Sequence, residues 1–229
     1  MIKAVVFDID NTMYDYDGGN EIALQKVSRY CKEKIGLSER DFYEKIKRAQ
    51  EMVEERTGIQ YAASHNRLLR FQCLLELLNR SSFSMALTMY QIYWDTLIED
   101  MKPEPGLLDF IKELKSQGIL VGVGTDMTAY IQYRKLEKLG VLEDMDMILT
   151  SEEAGIEKPS EKFFELCVKK LGCKPCECVF IGDNLERDVK GSIESGLRGI
   201  WYKPANQSSQ YETIENFKEC LKGGRNEII

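Results

Sequence analysis

Hydrophobic and polar positions change rhythm several times along the chain. Lys3-Ala4-Val5-Val6-Phe7 is a short apolar run that stops at Asp8-Ile9-Asp10-Asn11-Thr12, which predicts a buried strand delivering its tip to a site. A turn signal follows, Tyr14-Asp15-Tyr16-Asp17-Gly18-Gly19. From Asn20 to about Met101 strand patterning almost vanishes and four helical stripes appear. They are Leu24, Val27, Cys31 and Ile35; Phe42, Ile46, Ala49 and Val53, with Ser38 as N-cap; Leu68, Phe71, Leu75 and Leu78; and Met85, Met89, Ile92 and Leu97. Lys102-Pro103-Glu104-Pro105-Gly106 is a stiff connector.

Beyond it strands and helices alternate. Helices are expected from Leu107 to Ser116, Tyr130 to Leu139 and around Phe163 to Leu171. Strands are expected at Ile119 to Gly124, Met145 to Leu149, Cys178 to Gly182 and Leu197 to Tyr202. The alternation predicts an α/β fold, a Rossmann-like doubly wound parallel sheet built from residues 1–15 and 103–229. Residues 16–102 are expected to form a helical insert, hinged on the connectors at its two ends. Gly223 to Ile229 reads as a frayed tail.

Composition narrows the class. A chain of 229 residues can bury a substantial core, and its net charge of -7 argues against a nucleic-acid surface. No stretch is long and apolar enough to span a membrane, and a strand begins at once, so neither a membrane partner nor a signal peptide is expected. Seven scattered cysteines, an odd number, fit reduced thiols in a cytoplasmic protein.

Open parallel sheets bind ligands at the carboxyl ends of their strands, where Asp8, Asp10, Thr125 and Asp183 fall. Asp8 and Asp10, two residues apart, cannot both be core residues, and their repulsion calls for a cation or a shared proton. A magnesium ion beside a phosphate would meet that need, since magnesium takes hard oxygen ligands.

Four elements in order resemble the haloacid dehalogenase superfamily. They are Asp8-x-Asp10-x-Thr12, Thr125 after the second strand, Lys158-Pro159 before a helix, and Gly182-Asp183-x4-Asp188 after the fourth strand. The likeness covers the whole chain and points to subfamily I, with the helical C1 type of cap, on the phosphoglycolate-phosphatase-like branch. It implies strand order 3-2-1-4-5 and a magnesium-dependent phosphatase acting on a small phosphorylated metabolite through an aspartyl-phosphate. Asp8 would then be the nucleophile, and Asp10 the acid for the leaving group and base for water. The resemblance also implies that Asp8, the Asp10 backbone carbonyl and Asp183 ligate magnesium, that Thr125 and Lys158 hold the phosphoryl group, and that Asp188 orients Lys158 or a metal-bound water. Dehalogenases of this fold lack a carboxylate at the place of Asp10, so its presence argues for phosphoryl transfer. A sugar phosphomutase related to β-phosphoglucomutase is the alternative within enzymes. A phospho-accepting signalling domain and a degenerate binding module are alternatives outside them. A monomer or weak homodimer is expected.

Three features stand apart. Many relatives with this cap carry Asn where this chain has Asp126, which predicts that Asp126 points away from a bound phosphate or meets a basic substrate group. Cys173, Cys176 and Cys178 resemble a metal knuckle but lack an evident fourth ligand, so structural thiols are expected. His65, the only histidine, and Arg67 lie in the Ile59 to Arg67 connection and are expected to bind substrate; the alternative is a solvent-facing helix start.

Overall fold

The computed structural model describes residues 1–203 and 210–221, and the expected frayed tail lies outside them. The chain divides into two compact units, Met1–Asp15 with Lys102–Ile229, and Tyr16–Met101.

The first unit is a parallel sheet. Strands β1 (Ala4–Phe7), β2 (Leu120–Thr125), β3 (Met147–Thr150), β4 (Cys178–Gly182), β5 (Arg198–Tyr202) and β6 (Glu212–Ile214) lie in the order β3-β2-β1-β4-β5-β6. The strands β1, β2 and β4 are buried almost throughout, as the continuous apolar runs require of a sheet covered on both faces. Side chains alternate. Ala4 and Val6 pack into a core with Leu149, Phe163, Phe164, Cys167 and Phe180. Phe7 points the other way, edge-on to Phe110 and Phe217. Thus α8 (Glu161–Leu171) covers one face and α5 (Leu107–Ser116) the other. The register pairs Phe7 with Val123 and with Ile181, so β1, β2 and β4 end at a common level.

The expected strand order holds for five strands, and β6 extends it beyond β5. Its three residues, Glu-Thr-Ile, offer no apolar run to read. The third strand starts at Met147, later than expected, because Asp146 turns its carboxylate to accept from Val121 N–H at 2.8 Å.

The second unit holds α1 (Tyr16–Ile35), α2 (Glu39–Thr57), α3 (Arg67–Leu77) and α4 (Phe83–Glu99), with a 3-10 turn at Ala62–His65. Ser38 caps α2 by accepting from Asp41 N–H at 3.1 Å, and Phe42, Ile46, Ala49 and Val53 are all buried. The other stripes are shifted in part. Ile35, Leu68, Leu78 and Ile92 are half-buried, while Leu74, Tyr93 and Trp94 fill the interior. Helical period locates a face to within a residue, and bulky aromatics then take its centre.

Candidate active site

Asp8 prolongs β1: its N–H donates to Ile181 O at 2.9 Å, which carries it past Phe7 to the sheet's carboxyl end. Asn11 then adopts a left-handed φ of 59°, and Thr12 and Met13 N–H groups both turn back to Ile9 O. This tight turn sends Asp8 and Asp10 to different partners.

Asp8 meets Lys158. The ammonium is 2.7 Å from Asp8 Oδ1 and 2.7 Å from Asp188 Oδ1, with all three side chains at most one-tenth exposed. Lys158 sits in the turn before α8 and joins Pro159 by a cis peptide. Burial pushes the Asp8 carboxyl well up, and Lys158 opposes that shift. Lys158 itself is raised despite its burial, because Asp188 and Asp8 favour the charged form.

Asp10 meets Lys135, Tyr14 and Gln132. Lys135 Nζ, fully buried on α6 (Ala129–Leu139), lies 2.6 and 2.9 Å from the two carboxylate oxygens, and Tyr14 OH donates to Oδ1 at 2.5 Å. Burial alone would raise the Asp10 carboxyl, but the Lys135 ammonium and the hydrogen bonds outweigh it and hold it below the usual range. Gln132 links this cluster to the tip of β2 by donating to Thr125 Oγ1 at 2.6 Å and to Asp126 O at 3.0 Å.

The fourth strand ends in Gly182. A Cβ there would stand 2.4 Å from the Asp188 carboxyl, so only glycine lets that side chain fold back across the strand. The following π-helical turn, Leu185–Lys190, is opened by Asn184, whose Oδ1 accepts from Glu186 and Arg187 N–H. Asn184 N–H in turn donates to Asp188 Oδ2 at 3.0 Å. Short helices α7 (Ser151–Ala154) and α9 (Gly191–Glu194) follow β3 and this turn in the chain. Asp8, Asp183 and Asp188 offer carboxylate oxygens all within 4.8 Å of one another. Burial, then Asp188, pushes Asp183 up to about 6.

Asp126 bonds within the protein rather than facing outward. Its Oδ1 accepts from Lys158 N–H at 3.1 Å, and its Oδ2 accepts from Arg187 at 2.7 Å, while Arg187 also donates to buried Glu157 at 2.8 Å. Among the described residues, these contacts join six carboxylates (Asp8, Asp10, Asp126, Glu157, Asp183, Asp188) to three cations (Lys135, Lys158, Arg187). The surplus of negative charge on hard oxygen donors fits a divalent cation such as magnesium.

Asp8, Asp10, Thr125, Lys158, Asp183 and Asp188 are therefore brought together. Lys135, Gln132, Tyr14 and Arg187 carry no signal in the sequence that marks them for the site; on α6 the pattern Gln132-x-x-Lys135 resembles a solvated helix face. In the helical unit Arg67 is buried and donates to Tyr16 OH at 2.5 Å and His65 O at 3.0 Å, and it lies over the Tyr93 ring. The helix start is capped by Asn66, which accepts from Leu68 and Leu69 N–H, and not by His65 or Arg67. Cys173, Cys176 and Cys178 are free thiols, one half-buried, one exposed and one buried.

Comparison with known proteins bears on this geometry. Residues 2–196 match the family model for haloacid dehalogenase-like hydrolases. The chain belongs to that family. It is 35% identical to the ribulose-1,5-bisphosphate 5-phosphatase of Halopiger xanaduensis over 94% of this chain and 90% of that protein. It is 32% identical to the glyceraldehyde 3-phosphate phosphatase of Methanopyrus kandleri, over 86% of this chain and 82% of the relative. Its chemistry is that of a phosphoric monoester hydrolase. The fold is that of the HAD-hydrolase YfnB from Bacillus subtilis, determined bound to magnesium, with a TM-score of 0.72 at 23% identity, covering 95% of this chain and 96% of that one. Among the described residues no helix is long and apolar enough to cross a membrane.

Proposed function

We propose that this haloacid dehalogenase-like phosphatase hydrolyses a small sugar phosphate through an aspartyl-phosphate on Asp8. The observation that carries the reading is the Asp8–Lys158–Asp188 arrangement, with Asp183 beside it, at the carboxyl end of the sheet. Relatives that act on a ribulose bisphosphate and on a triose phosphate support the substrate class.

In this reading an Asp8 oxygen attacks phosphorus while Lys158 and Thr125 hold the equatorial oxygens. Asp8, Asp183 and the Asp10 backbone carbonyl would hold magnesium, which offsets phosphoryl charge when bound. Asp188 keeps Lys158 aimed at Asp8, since its carboxylate holds the same ammonium. Asp10 serves the protons. Paired with Lys135, Asp10 is held as the carboxylate, the form able to take a proton from the attacking water. To donate to the leaving alcohol it must start protonated against the pull of Lys135, and the proton it takes from the attacking water restores that form for the next turnover.

The helical unit then acts as a cap, closing to exclude water and opening to release product. His65 and Arg67 contribute to substrate binding. Arg67 has no carboxylate partner among the described residues, and an anionic substrate group would supply one. The test is release of inorganic phosphate from a panel of phosphorylated sugars, trioses and non-sugar metabolites, with and without magnesium. One or a few sugar phosphates should be strongly preferred. A panel in which no sugar phosphate is hydrolysed faster than a generic aryl phosphate would contradict the proposal.

A further inference from the structure

The Lys158 ammonium is contested. Asp8 and Asp188 each lie 2.7 Å from it, and a third carboxylate, Asp126, stands 3.9 Å away. Asp126 accepts from the Lys158 backbone N–H through Oδ1. An amide oxygen would make that contact as well. Its second oxygen carries charge toward the ammonium that is to hold a phosphoryl group. Arg187 meets that oxygen at 2.7 Å and Glu157 at 2.8 Å. One guanidinium therefore joins the loop after β2, the turn before α8 and the turn after β4. A carboxylate left unpaired beside a phosphate dianion repels it, and in a half-buried site that repulsion is weakly screened.

We propose that Arg187 is a positioning residue for phosphate binding. Anchored on Glu157, it pairs with Asp126 and withdraws that charge from the phosphoryl site. The Lys158 ammonium is then left to Asp8, Asp188 and the transferred group. The inference rests on the functional reading above only in taking Lys158 as the phosphoryl-holding cation. Arg187 itself is given no contact with substrate.

The test measures binding of inorganic phosphate by calorimetry in the presence of magnesium, with KM and kcat for an aryl phosphate in parallel. Arg187→Gln should weaken phosphate binding and raise KM by about tenfold or more, with a smaller effect on kcat. Arg187→Lys, which keeps the charge, should retain most of the affinity. Adding Asp126→Asn to Arg187→Gln should recover about threefold or more, because it deletes the charge that Arg187 had covered. A contact that merely ties loops together would not be repaired by removing its partner.

Phosphate affinity of Arg187→Gln within about twofold of wild type would overturn the proposal, as would a loss that Asp126→Asn does not recover. If Arg187→Gln alone fails to fold, the double variant decides. Folded with phosphate affinity within about fivefold of wild type, it supports the proposal; folded with weaker affinity, or unfolded, it makes Arg187 a structural residue. A wild-type protein that binds phosphate in this pattern yet hydrolyses no ester would defeat the functional reading and leave the role of Arg187 standing.

Discussion

Lys135 and Asp10 depend on each other. The ammonium is fully buried, while 23% of the Asp10 side chain is exposed. Lys135→Met would leave a mostly buried carboxylate with Tyr14 and Gln132 as its side-chain donors among the described residues. Removing one partner of a buried pair costs about 3–5 kcal/mol, and the residual exposure of Asp10 brings the expected loss to about 2 kcal/mol. Denaturant titration at neutral pH measures it, and unchanged stability would contradict the pairing. The motif Asp8-x-Asp10 was legible because two carboxylates two residues apart at a strand tip have few other uses. Lys135 was not legible. A lysine on an amphipathic helix looks the same in sequence whether it reaches solvent or a buried acid far away in the chain, and only the packing of α6 decides. Asp126 was half legible: the sequence marked it as out of place beside phosphate, while its partner Arg187 lies sixty-one positions on.

At the scale of elements, the proposed magnesium site and a raised carboxyl fall in one turn, after β4. Burial and the neighbouring Asp188 raise Asp183 to about 6, above the ordinary carboxyl value of 3.8. Between these values the folded, metal-free protein binds a proton that the unfolded chain does not, so stability falls as pH rises through that window. Metal-free protein should therefore gain thermal stability on going from pH 7 to pH 5 through this group. Magnesium favours the ionised carboxylates, so its stabilising effect should be large at pH 7.5 and small at pH 5. Thermal melts with magnesium and with chelator, at both values, check this. An equal magnesium shift at the two pH values would remove Asp183 from the ligand set. The alternation of strands and helices was readable because buried parallel strands are continuous apolar runs. Strand β6 was hidden because an edge strand of three residues is held by its neighbour's backbone and needs no apolar run of its own.

At the scale of the whole molecule, the groups proposed for phosphoryl chemistry all lie in the sheet unit, and such groups cannot tell one leaving group from another. Discrimination has to come from side chains that touch the rest of the substrate. If Arg67 and His65 are those side chains, Arg67→Ala or His65→Ala raises KM for the preferred substrate several-fold or more. Turnover of a featureless aryl phosphate changes little, the pattern of a lost ground-state contact. Because Arg67 is buried against Tyr16 and Tyr93, a melting curve accompanies the assay to separate loss of fold from loss of recognition. Equal effects on both substrates would make Arg67 a packing residue of the helical unit.

The central claim is that Asp8 attacks phosphorus, and the most direct measurement is magnesium-dependent phosphate release by wild type and Asp8→Asn, assayed side by side with circular dichroism of both. An amide neither attacks phosphorus nor neutralises a metal ion. Wild type should therefore release phosphate steadily, stop on chelation and resume with magnesium. A folded Asp8→Asn protein should lose about a thousandfold or more in rate. Activity of that variant within about tenfold of wild type would contradict the assignment of Asp8 as nucleophile.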